Sequence, residues 1–192
     1  MPPTLVMLSG AIGSGKSTLA HDLHVQCGFA VVSSDSRRAA GLGSELPDCI
    51  AAARAELEAG KDVVMDRWAA GTGAEAGGAV PQWMAVRLNI DNDVRQRIAS
   101  DLGKAAGRVM LVVLDPDLDV INERLESRIA GHSQGSTGGC TSGPIFHLAT
   151  TQHATIRSFL NGPDVIENYG ASWMVVADAA TAMAGLRAWM GV

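Results

Sequence analysis

One run of residues near the amino terminus constrains this chain more than any other. Gly10-Ala-Ile-Gly-Ser-Gly-Lys-Ser17 fits G-x-x-x-x-G-K-[ST], the phosphate-binding loop pattern, and it lies in the setting that gives the pattern physical meaning. Before it, Leu5-Val-Met-Leu8 is apolar throughout, as a parallel strand buried on both faces must be. After it, Leu19, Ala20 and Leu23 recur at helical spacing, so the loop opens directly into a helix. Gly10, Gly13 and Gly15 let the backbone curl until successive N–H groups point inward at phosphate oxygens, and the helix N-terminus adds its partial positive charge. Ala11, Ser14 and Thr18 complete the cradle. Lys16 is spaced to reach the β- and γ-phosphates, and the Ser17 hydroxyl to ligate Mg²⁺. ATP and Mg²⁺ are the ligands this predicts. The alternative is a chance glycine turn between a strand and a helix, which all four matched positions weigh against.

The chain of 192 residues is long enough for a single domain, residues 1–192, with a substantial core. A hydrophobic content of 47% with 18% charged residues is that of a globular protein, and no apolar run approaches the roughly 20 residues of a membrane helix. The start of the chain has no leader pattern, which predicts a cytoplasmic protein with no membrane association. Cys27, Cys49 and Cys140 are odd in number and widely spaced, as expected of reduced thiols. The net charge of −5 speaks against a surface that is basic overall, without excluding a local basic groove. Nothing marks an obligate protein partner.

Phe29 to Ser33 reads as the second strand and ends in Ser34-Asp35-Ser36-Arg37-Arg38. Ligands of open parallel sheets sit beyond the carboxyl ends of the strands, so Asp35 would share a crevice with the phosphate loop. Its carboxylate could take the proton of an attacking hydroxyl, with the adjacent arginines gripping a substrate phosphate. The alternative is an Asp that caps the next helix, beside two solvated arginines. A helix over 47–60 follows, stopped by Gly60, and Lys61 to Asp66 supplies a third strand ending in an acid. Asp66 is the natural second partner of the ion held by Ser17, or else part of a plain strand-end turn. Arg67 could clamp a substrate phosphate or pair with a neighbouring carboxylate. Trp68 could stack on a base, although core packing is the more frequent role of a lone Trp.

Residues 69–89, rich in Gly and Ala and without a clear period, read as a long irregular insertion, about 67–90 in extent, that shapes the acceptor site with Trp83 and Arg87 as contacts. Helical patterning returns over 91–106, and Met110 to Leu114 is the fourth strand, followed by Asp115-Pro116. A helix over 117–129 carries Arg124 and Arg128 four residues apart on one face. The Gly- and Ser-rich run after it, Gly131 to Pro144, reads as a lid of about 129–145 with Arg124 and Arg128 at its hinge delivering positive charge to the transferring phosphoryl group, Arg128 ahead of Arg124 for catalysis. The alternatives are a slack connector and, for Arg124, a structural salt bridge. His132, Cys140 and His147 border that run in no usual zinc spacing. His21 and His24 on the first helix read as surface or packing residues. A helix over 146–160, a fifth strand over 173–177 and a closing helix over 181–190, with Met183, Leu186 and Met190 inward, complete the chain.

Together these residues resemble the P-loop kinases of the nucleoside monophosphate kinase-like superfamily, most closely the polynucleotide 5′-hydroxyl kinase-type (zeta-toxin/AAA_33-like) domains. The resemblance is carried by Lys16 and Ser17, by Asp35 with Arg38 three residues on, by the acid-ended third strand at Asp66, and by Asp115 leading to Arg124 and Arg128. It implies a three-layer α/β fold with a five-stranded parallel sheet of order 2-3-1-4-5. It further implies Asp35 as general base, Arg38 on the acceptor phosphate, Asp66 in the metal or acceptor site, and Arg128 as the lid arginine on the ATP phosphates. Asp66-Arg67-Trp68 departs from the Asp-x-Asn-like step of that type and is similar to the Asp-Arg-aromatic step of thymidylate kinases. The combination suits a kinase acting on a hydroxyl of a nucleic acid or nucleotide unit, extending to a hydroxymethylated base in DNA. A small-molecule nucleoside, nucleotide or metabolite kinase is the nearest alternative. A nucleotide-dependent switch with slow ATPase activity is another, and no Asn-Lys-x-Asp sequence marks a GTPase.

Overall fold

A computed structural model describes residues 2–43, 46–66, 101–132, 142–160 and 172–191. Its sheet has five strands, all parallel: β1 Thr4–Gly10, β2 Ala30–Ser33, β3 Val63–Asp66, β4 Arg108–Leu114 and β5 Ser172–Val176, in the spatial order β2-β3-β1-β4-β5. This is the order the resemblance implies. The helices are α1 Lys16–Cys27, α2 Ser34–Ala39, α3 Leu46–Glu58, α4 Leu118–His132, α5 Ser142–Leu160 and α6 Ala179–Met190.

The alternation of side chains along each strand sorts the apolar residues into two cores. Leu5, Met7, Val63, Met65, Leu111 and Val113 face one way and pack with Cys49, Ala53 and Leu57 of α3, Ile121 and Leu125 of α4, and Ala149 and Ile156 of α5. Val6, Leu8, Val64, Met110, Val112 and Leu114 face the other way, against Leu19, Ala20 and Leu23 of α1 and Ala182, Met183 and Leu186 of α6. The central strands are therefore buried on both faces, which is why they read as unbroken apolar runs. Burial of this kind also fixes the register that brings the strand ends together: Leu8 lies beside Asp66, Ser33 beside Asp66, and Gly10 beside Leu114.

Several boundaries differ from the sequence reading, each for a local reason. Phe29 precedes β2 and is buried, while the Asp35 cluster is helical: Ser33 caps α2 by accepting the Ser36 N–H at 3.3 Å, and Asp35 sits in the first turn. The capping residue is thus Ser33, two positions ahead of the Asp. α6 starts at Ala179 because Asp178 accepts the Thr181 N–H at 2.7 Å. Met190, expected inward, is only partly buried. The ends of the segment read as a lid are helix: α4 runs to His132, and α5 begins at Ser142, taking in Pro144, whose missing N–H is tolerated in a first turn. The rest of that segment, 133–141, lies outside the described residues, as do the 67–90 insertion and the helix expected over 91–106 as far as residue 100. Among the described residues no helix is long and apolar enough to cross a membrane.

Leu23 of α1 is fully buried against the sheet. Leu23→Ala should cost roughly 2–5 kcal/mol, read as a lower denaturant midpoint in urea unfolding; a loss of only a few tenths would contradict the packing described.

Candidate active site

The loop between β1 and α1 turns on glycines in conformations that side-chain-bearing residues avoid, with φ of 152° at Gly10, 82° at Gly13 and 105° at Gly15. At Gly10 space is also decisive, because a Cβ there would meet the Ser14 hydroxyl and would lie 2.8 Å from the Leu114 carbonyl oxygen. Gly15 occupies the N-cap of α1 without a side-chain cap, so the first N–H groups of that helix face the cleft with no intrahelical acceptor. An uncapped helix N-terminus of this kind suits an anion.

The cleft at the carboxyl ends of the strands has a volume of about 540 Å³. Lys16, Ser17 and Thr18 line it together with Asp35 in the first turn of α2, Asp66 at the end of β3, and Arg124 and Arg128 of α4. Lys16 Nζ donates to the carbonyl oxygens of Gly10 at 2.8 Å and Ala11 at 2.9 Å. Burial pushes its ammonium down to about 8 from 10.5; the Asp66 carboxylate works against this, Arg128 adds to it, and Asp35 opposes it. Ser17 Oγ donates to Asp66 Oδ2 at 2.7 Å, so the two oxygens expected to hold Mg²⁺ are neighbours. A hydroxyl beside a carboxylate is the hard oxygen pair that ion takes.

Other residues adopt arrangements the sequence did not disclose. Arg38 Nη1 bonds Asp35 Oδ1 at 3.0 Å in an exposed pair and is not part of the cleft lining. Arg124 Nη1 donates to the carbonyls of Gly13 at 3.3 Å and Ser14 at 3.1 Å, gripping the loop backbone as well as lining the cleft. Gln152 of α5, fully buried, accepts the Ile12 N–H at 2.8 Å. A polar residue on the apolar stripe Ile145, Ala149, Ile156 was the available signal for it. Asp115, after β4, binds Arg157 Nε at 2.7 Å and faces His153 at 3.6 Å, joining α5 to the strand end. His24, expected on the surface or in packing, bonds the Phe29 carbonyl oxygen at 2.8 Å. Arg67, Trp68, Trp83, Arg87 and Cys140 lie outside the described residues; Cys27 and Cys49 are free thiols.

The model of the AAA_33 family, described as an AAA domain, matches residues 5–137, more than half of the chain. The chain belongs to the AAA_33 family. Those residues run from β1 to beyond α4 and so contain the phosphate loop, Asp35, Asp66 and both cleft arginines of this AAA_33 domain. No curated protein matches it. A protein designated a kinase from Chloroflexus aurantiacus j-10-fl shares the fold, with a TM-score of 0.58, 17% identity, and 99% of this chain and 97% of that one covered. A sugar kinase from Janibacter sp. HTCC2649 aligns with a TM-score of 0.51 and 15% identity, covering 100% of this chain and 96% of that one. At these identities the likeness establishes the P-loop α/β fold of the AAA_33 domain.

The low affinity of Lys16 for its proton has a measurable consequence. Between about pH 8 and 10.5 the unfolded chain holds that proton and the folded chain does not, so the Lys16 contribution makes stability rise with pH across this window. Below the window, Lys16→Met should be more stable than the wild type, and the rise should be missing from it. Urea unfolding of both proteins at pH 7, 9 and 10.5 tests this; parallel curves would contradict the burial of the ammonium.

Proposed function

We propose that this AAA_33 domain is an ATP-dependent kinase that transfers the γ-phosphoryl group to a hydroxyl. The observation that carries the reading is the convergence of Lys16, Ser17, Asp35, Asp66, Arg124 and Arg128 on one cleft at the mouth of the phosphate loop. The loop amides and Lys16 hold the β- and γ-phosphates, with Ala11, Ser14 and Thr18 in the cradle. Ser17 and Asp66 would hold Mg²⁺, which would supply charge neutralisation at the phosphates. Arg128 stabilises the transferring group, and Arg124 keeps the loop carbonyls turned away from the phosphates. Asp35 accepts the proton of the attacking hydroxyl. Its exposed position leaves room for an acceptor to approach. Little covalent chemistry is asked of the protein, so positioning and electrostatics supply the rate.

For the acceptor we propose a nucleotide unit, free or within a nucleic acid, on the strength of Asp35 with Arg38 and of the Asp66-Arg67-Trp68 step. A small-molecule alcohol is the second reading. It is favoured by the Arg38 guanidinium, which bonds Asp35 and stands outside the cleft lining, and by the net charge of −5.

Transfer of labelled γ-phosphate from ATP should be measured on 5′-hydroxyl DNA and RNA, hydroxymethyl-pyrimidine DNA, nucleosides, nucleoside monophosphates and sugars. Asp35→Asn should lower kcat by about 10²–10⁴-fold while the KM for ATP stays within a few fold. Label confined to a sugar or nucleoside selects the second reading. Nucleotide binding without transfer to any acceptor would overturn the kinase in favour of a switch.

A further inference from the structure

We infer that Gln152 is a positioning residue for the phosphate loop, acting through the peptide group that joins Ala11 to Ile12. This rests on the nucleotide-binding reading above and assigns a part to a residue 140 positions from the loop. The Ile12 N–H and the Ala11 C=O belong to one planar trans peptide, so they point in opposite directions. The N–H points to Gln152 Oε1 at 2.8 Å. The carbonyl is thereby aimed into the loop, where it accepts Lys16 Nζ at 2.9 Å and the Ser14 N–H at 3.1 Å. One side-chain oxygen outside the loop therefore sets the direction of the carbonyl that seats the lysine and closes the turn.

The surroundings make this a fixed lever. Gln152 is fully buried, and its Nε2 has no hydrogen-bond partner among the described residues, while its Oε1 accepts the Ile12 N–H. Further along α5, His153 Nε2 lies 3.1 Å from the Pro116 carbonyl oxygen and Arg157 Nε lies 2.7 Å from Asp115 Oδ2, which fixes the height of the helix against the end of β4. On the other flank of the loop, Gly13 lies so close to α4 that an added Cβ would come within 3.2 Å of Ile121 Cγ2 and 3.3 Å of Leu125 Cγ. Arg124 meanwhile draws the Gly13 and Ser14 carbonyls outward. The two helices thus hold the loop by opposite polarities: a guanidinium on the Gly13 and Ser14 carbonyls and an amide oxygen on the Ile12 N–H. Without Gln152 the Ala11–Ile12 peptide is held from its carbonyl side alone, and the direction of the carbonyl that accepts Lys16 is no longer fixed from outside the loop.

The test is calorimetric binding of ADP and AMP to the full chain, because the loop grips the phosphate in which they differ. Gln152→Met keeps the volume and removes the acceptor. ADP affinity should fall about ten-fold while AMP affinity stays within about two-fold. If Gln152→Met does not fold, Gln152→Asn, one methylene too short to reach Ile12, is read the same way. An unchanged ADP-to-AMP ratio, or equal loss of both ligands, would overturn the inference. A wild-type protein that does not prefer ADP to AMP, and is indifferent to Lys16→Met, would overturn the nucleotide reading itself.

Discussion

A tight turn from a buried parallel strand into a helix leaves backbone donors without regular partners, and this site depends on where those donors point. In the loop from Gly10 to Gly15 the question is settled by three glycines at positive φ, whose conformations turn consecutive peptides toward one cavity. Such a loop cannot hold its shape alone. Its carbonyls are drawn outward by Arg124, its Ile12 N–H is held by Gln152, and its Gly13 is packed against Ile121 and Leu125. The anion cradle is thus the inner surface of a ring of contacts made by α4 and α5.

The sheet supplies the second requirement, which is convergence. Because all five strands are parallel, their carboxyl ends lie along one edge, and because β1 is flanked by β3 and β4 the crevice opens beside it. The register then decides contacts to within a residue. Leu8 beside Asp66 puts the Asp66 carboxylate within hydrogen-bond reach of Ser17, and Ser33 beside Asp66 starts α2 so that Asp35 enters the same cleft. Slippage by one residue would turn either acid to the opposite face. The apolar packing of Met7, Met65 and Leu111 on one face and Leu8, Val64 and Val112 on the other is therefore what keeps the polar edge assembled.

Charge completes the arrangement. Lys16, Arg124 and Arg128 face Asp35 and Asp66 across one cleft, and the partly buried lysine is held by two carbonyl oxygens. Its ammonium is less favourable there than in water, a condition that a bound polyphosphate would relieve. Asp35, by contrast, stands exposed in an ion pair with Arg38.

Much of this was legible in the chain itself. The glycine spacing, the apolar runs of β1 and β4 and the acids that follow β2 and β3 are local patterns, and a local pattern is enough to specify a strand, a turn and the residue at its end. The strand order was implied by the resemblance to P-loop kinases and not by those patterns, which say nothing of which strands lie side by side. Three things were decided only by the tertiary structure. Ser33 displaced Asp35 as the cap of α2, Arg38 turned to Asp35, and Gln152 crossed from α5 to the Ile12 N–H. Hydrogen bonds of this kind join groups far apart in the chain or choose among several nearby acceptors. Which one forms depends on how the layers pack, a distance and direction that no sequence spacing encodes.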